Sequence, residues 1–151
     1  MTARADKNGF TASQVCALTG VSQGKCVQWD DRKVTVPSRK DRLATSSGHR
    51  HLRSIETVHQ IAITDVLTRL GLSAKFAARA ARKFTDEGQT GRAPGALFDR
   101  GTTILLVTPE GATVRNVFAD TSFADVCNSA SVILACNHIV QQVDAVRKTL
   151  K

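Results

Sequence analysis

Residues 19–22, Thr-Gly-Val-Ser, constrain the fold of this chain more than any other short stretch. Gly20 can take the left-handed backbone that ends a helix. Val21 offers a side chain to a core, and Ser22 offers a hydroxyl to the free N–H groups that open a following helix. Upstream, residues 11–18 place Val15 and Leu18 on one helical face, with Thr11 or Ser13 as cap. Downstream, residues 23–31 carry Cys26, Val27 and Trp29. Two short helices about a four-residue glycine turn have the spacing of a helix-turn-helix unit.

Charge gives this unit a direction. The 151 residues carry a formal net charge of +8. Residues 1–83 hold 15 Lys/Arg against 6 Asp/Glu, and residues 84–151 hold 6 against 7. The whole surplus therefore lies in the front half, and a surplus of this kind favours a polyanionic partner. No stretch reaches the roughly 20 apolar residues needed to span a bilayer. Residues 1–10 lack the apolar centre of a signal peptide. The expectation is a soluble cytoplasmic protein with no membrane partner.

The remaining elements follow from periodicity. Val34 and Val36 predict a short strand ending at Pro37, and Ser46-Ser47-Gly48 predicts a turn. Strands on either side of that turn would form a wing. Residues 54–70 repeat apolar side chains at helical spacing, with Ser54 as cap and Gly71 as stop. Ser73 caps a further helix over residues 74–84, rich in Ala and Arg. Gly88, Gly91, Pro94, Gly95 and Gly101 mark residues 85–101 as a linker. Residues 102–108 are a β-branched, apolar run, Pro109-Glu110-Gly111 is a turn, and residues 112–118 alternate between two faces; together they predict a β-hairpin. Ser122 is expected to cap one long helix running to about residue 149. On it Val132, Cys136, Ile139, Val143, Val146 and Leu150 recur at spacings of four and three, the pattern of a coiled-coil seam. That seam predicts a homodimer; the alternative is that the hairpin and the front half cover it. The expected fold is thus mainly α with small β. It comprises a winged helix-turn-helix domain at residues 1–84, a linker at 85–101, and a hairpin with a long dimerisation helix at 102–151.

Several motifs, taken in order, resemble the MerR-type winged helix-turn-helix family over residues 10–84. They are Phe10-Thr11, Thr19-Gly20-Val21-Ser22, Trp29-Asp30, Val36-Pro37-Ser38-Arg39 and Gly48-His49-Arg50, followed by residues 55–73 as a second helix pair. The resemblance implies a dimeric transcription regulator. Its second helix would enter the major groove and its wing would touch the flanking backbone. Val27 and Gln28 stand where the family usually carries Arg and Tyr, and His49 and Leu52 where it usually carries Tyr.

The residues themselves suggest roles. Gln23, Lys25 and Gln28 are polar positions on the second helix. Gln pairs bidentately with adenine, and Lys donates to guanine or phosphate. Arg32, Lys33, Arg39 and Lys40 follow that helix and suit phosphate contact, as do His49 and Arg50 at the wing tip. Lys75, Arg79, Arg82 and Lys83 form either a second phosphate-facing edge or a solvated helix face. The partners expected are double-stranded DNA, a second copy of the chain and, on the resemblance, the transcription machinery.

No nucleotide-binding glycine loop, no H-E-x-x-H and no G-x-S-x-G occurs, so no enzymatic activity, cofactor or metal is expected. Cys16, Cys26, Cys127 and Cys136 contain no C-x-x-C pair and read as free, mostly buried thiols, with redox sensing as the alternative. Two other functions fit the same front half: a phage-type DNA-packaging or recombination accessory protein, such as a small terminase subunit or an excisionase, and a protein-interaction module.

Overall fold

The structure, a computed structural model, describes residues 9–44, 51–126 and 132–150. The described residues form a mixed α/β fold. Its elements are α1 (Ala12–Thr19), α2 (Gln23–Asp31), α3 (Ile55–Arg69), α4 (Ala74–Thr85), β1 (Thr102–Thr108), β2 (Gly111–Val117), α5 (Phe123–Val126), β3 (Val132–Ala135) and α6 (Cys136–Arg147).

The centre of the molecule is α3, which buries residues on every side, from Thr57 through Thr64 and again at Leu67. A helix surrounded in this way needs cover from several elements. α4 supplies Ala77, Ala78, Ala80, Ala81 and Phe84, and its small side chains let the two helices approach closely. α1 adds Val15 and Leu18, and α6 adds Cys136, Ile139 and Val143. One hydrophobic cluster therefore runs from Phe10 to Val143.

The three strands are antiparallel in the order β2-β1-β3, with Leu105 opposite Val114 on one side and Leu134 on the other. β1 is buried from Thr103 to Val107, which explains its nearly continuous apolar run. Leu105 and Val107 face the main cluster, whereas Ile104 and Leu106 meet Val126 and Val117 on the opposite face. The predicted hairpin is present, shifted by one residue in its second strand.

The structure departs from expectation first in the C-terminal half. The long C-terminal helix is broken into α5, β3 and α6. Val132 lies in a strand, so its spacing to Cys136 crosses a strand-to-helix junction rather than one helical turn. The proposed seam is turned inward: Cys136, Ile139 and Val143 are buried, and Val132, Val146 and Leu150 pack against the same cluster. That face of α6 packs against the chain's own core.

Residues 85–101, expected as a linker, are tied down by Arg92, which is buried. Its guanidinium donates to the carbonyls of Lys83 and Phe84 at 3.1 Å, Glu87 at 2.6 Å, Ala96 at 3.2 Å and Ala93 at 3.3 Å. It thereby satisfies carbonyls that the end of α4 leaves without helical partners.

The predicted strand at Val34 and Val36 also takes another form. No strand pairs with it among the described residues. Instead the Gln60 side chain of α3 does so, accepting from Val36 N at 2.9 Å and donating to Val36 O at 3.0 Å. The turn expected at 46–48 lies outside the described residues. On either side of it Arg42 and Leu52 form an antiparallel bridge, as do Phe10 and Arg53.

Candidate nucleic-acid interface

The pairing of α1 with α2 is built by caps. Thr11 opens α1 with a reciprocal capping box: its backbone N–H donates to Gln14 Oε1 at 2.9 Å, and its hydroxyl accepts from Gln14 N. Gly20 closes α1 with φ 72°, and its N–H donates to Cys16 O at 2.8 Å. The left-handed conformation makes glycine the favoured residue there. Ser22 then caps α2, accepting from Lys25 N at 3.2 Å. Val21 and Trp29 point into the core. This leaves Gln23, Gly24, Val27, Gln28, Asp30 and Asp31 exposed along α2.

The end of α2 is shaped by Lys33, whose φ of 55° is the only left-handed value at a non-glycine among the described residues. Its N–H donates to Asp30 O at 3.0 Å, and Val34 N donates to Trp29 O at 2.8 Å. The reversal drives Val34 into the core and leaves Arg32 and Lys33 projecting outward.

The chain then runs to a carboxylate that sequence reasoning missed. The Asp41 side chain has no exposed surface. It accepts from Ser54 N at 2.8 Å, from Ser54 Oγ at 2.7 Å and from Thr57 Oγ1 at 2.8 Å. Arg53 Nη1 lies 3.3 Å away, and Arg53 Nη2 reaches Asp30 at 2.8 Å. Asp41 thus sits where α3 opens, a position that favours negative charge, and pins the segment bearing Arg39 and Lys40 to α3. Its one sequence signal is that it is the sole carboxylate between Arg32 and Arg53.

The expected contact residues divide into two groups. Gln23, Gln28, Arg32, Lys33 and Arg39 are exposed, and these three cations make no ion pair among the described residues. Lys25 and Lys40 are paired within the chain. Lys25 Nζ sits 2.9 Å from Asp65 and over the Trp29 ring at 5.1 Å, while Lys40 binds Glu56. Arg69, absent from the expected set, shares Asp65 at 3.1 Å. A groove of about 330 Å³ beside α2 is edged by Gln28, Arg32 and Arg69. On α4, Lys75 and Arg79 are exposed, whereas Arg82 pairs with Asp86 and Lys83 with Glu87. His49 and Arg50 lie outside the described residues.

No protein-family model and no curated protein matches the chain. Among the described residues no group of three His, Cys, Asp or Glu is placed to hold a metal ion, and no helix is long and apolar enough to cross a membrane.

Proposed function

We propose that this chain is a sequence-reading, duplex-DNA-binding transcription regulator that acts in the cytoplasm, with α1 and α2 as a helix-turn-helix and the Arg42–Leu52 bridge at the base of its wing. The observation that carries this reading is the exposed row from Gln23 and Gln28 to Arg32, Lys33 and Arg39. Amide side chains suited to base edges lie on the outer side of α2, and cations suited to phosphates, unpaired among the described residues, follow directly. The chain neutralises Lys25, Lys40 and Arg53 internally and leaves Arg32, Lys33 and Arg39 without a carboxylate partner among the described residues. Two copies on an inverted repeat remain part of the proposal, through a surface other than the inward face of α6.

The test is a fluorescence anisotropy titration of the full chain with a random-sequence duplex over a range of salt, followed by footprinting on genomic fragments. The expected result is binding that weakens steeply with salt, with protection of a promoter palindrome. Protection confined to a packaging or attachment site would move the assignment to a DNA-packaging or recombination accessory protein. Failure to bind any duplex at low ionic strength would remove DNA from the account.

A further inference from the structure

A cleft of about 540 Å³ opens where three separate parts of the chain come together. Arg39 and Lys40 line it from the stretch after α2, Glu56 from the first turn of α3, and Arg82, Thr85 and Asp86 from the end of α4. Its size falls within the range of small-ligand sites. Each wall is fixed by its own bonds. Ser38 N donates to Thr57 Oγ1 at 3.3 Å on one side, and Gly95 N donates to Phe84 O at 2.9 Å on the other. Gly95 packs so closely against Glu56 that a Cβ there would lie 3.1 Å from Glu56 Cγ.

The polar groups of this cleft are out of balance. Both carboxylates are already engaged. Asp86 accepts from Arg82 Nε at 2.8 Å through Oδ2 and from Thr85 Oγ1 at 2.9 Å through Oδ1, and Glu56 Oε1 holds Lys40 Nζ. Donors are left over. Among the described residues Arg39 makes no ion pair, and neither terminal nitrogen of Arg82 has a hydrogen-bond partner. Water can serve a cation that stands alone on a surface. Here two guanidinium groups, from walls held by different bonds, line one concavity and can share one anion.

We propose that this cleft binds a phosphate group. A phosphate carries more charge and more acceptor oxygens than a carboxylate, enough to meet Arg39, Lys40 and the terminal N–H groups of Arg82 together. The planar forks of the two arginines match its edges. Glu56 and Asp86 do not repel it outright, because each already holds a cation. The group belongs to a small phosphorylated molecule or to the backbone of a DNA strand, and the chemistry of recognition is the same. The site itself does not rest on the DNA-binding reading, since free phosphate suffices to test it.

The experiment titrates the ¹⁵N-labelled full chain with inorganic phosphate, chloride holding the ionic strength constant, and follows amide and arginine Nε–H resonances. Saturable shifts are expected at residues 38–40 and 82–86. Arg39→Ala and Arg82→Ala should each weaken phosphate binding about tenfold, the scale of a lost hydrogen bond to a charged group. Arg79→Ala, on the exposed side of α4, should bind as the wild type does. Asp86→Asn should bind phosphate more tightly, because it removes a negative charge and frees Arg82 Nε; a gain of affinity cannot come from misfolding. A duplex titration of Arg82→Ala then identifies the source. An unchanged salt slope assigns the site to small phosphorylated molecules, and a slope lower by about one assigns it to the DNA backbone. The proposal is overturned if the shifts do not saturate, if chloride alone reproduces them, if Arg79→Ala weakens binding as much as Arg82→Ala, or if Asp86→Asn binds no more tightly.

Discussion

Gln60 and Val36 form a hydrogen-bonded pair in which one side-chain amide serves both backbone groups of an extended residue, at 2.9 and 3.0 Å. Gln60 is 1% exposed and Val36 half-buried. This amide stands in for the missing strand and holds the chain between α2 and Asp41 against α3. Gln60→Leu should destabilise the fold by about 2–4 kcal/mol, from two lost bonds and two stranded backbone groups. Urea denaturation checks this: the midpoint should fall with the slope unchanged.

The division between free and paired cations makes a graded prediction. Arg32→Ala, Lys33→Ala and Arg39→Ala should each weaken duplex binding and reduce the salt slope by about one. Lys40→Ala should change the slope less, because Glu56 already holds that ammonium group. Anisotropy titrations at several salt concentrations decide it; equal slopes for all four variants would contradict the division.

Lys33 allows stability and binding to be pulled apart. Its left-handed backbone costs a non-glycine residue roughly 1 kcal/mol. Lys33→Gly should therefore raise the thermal midpoint while lowering duplex affinity. A variant that loses both would mean that the lysine stem contributes packing.

His59 should make the fold acid-sensitive. It is 5% exposed, and neither ring nitrogen has a hydrogen-bond partner among the described residues. Burial pushes its imidazole below the ordinary 6.5, against the opposing pull of the Asp144 and Glu56 carboxylates. The unfolded chain accepts a proton below about pH 6.5 that the folded chain refuses. Stability is thus complete above that value and declines as pH falls, by at most about 1.4 kcal/mol per pH unit. Urea midpoints of the wild type and His59→Leu between about pH 7 and pH 5 should diverge, with the variant flatter.

Ile139 distinguishes a core from a seam. Packed inside one chain at 4% exposure, it should cost about 2–5 kcal/mol when changed to Ala, and Ile139→Asp should unfold the protein. A dimeric wild type beside a folded, monomeric Ile139→Asp, seen by circular dichroism and light scattering, would restore the seam reading.

What could be read from the sequence was local. The α1–α2 pair was legible because Thr11, Gly20 and Ser22 each act on the backbone beside them. The β1–β2 hairpin was legible from two strand-forming runs about a Pro-Glu-Gly turn. The long helix misled because residues 132–135 are apolar in a strand and Cys136, Ile139 and Val143 are apolar in a helix, and the joined run keeps a four-and-three rhythm. Nothing in such a stripe says whether its cover comes from the same chain or from another. At the candidate interface, exposed positions on α2 could be expected from the turn, but the carboxylates that neutralise Lys25 and Lys40 lie on α3 and are brought there only by the fold.

Arg92 also decides how this chain can be divided. A fragment ending near residue 85 would strip the last turn of α4 of its carbonyl partner and lay bare the sides of α1 and α3 that α6 closes. The front half is therefore no portable module. To graft it onto another protein, the sheet and the last helix must travel with it.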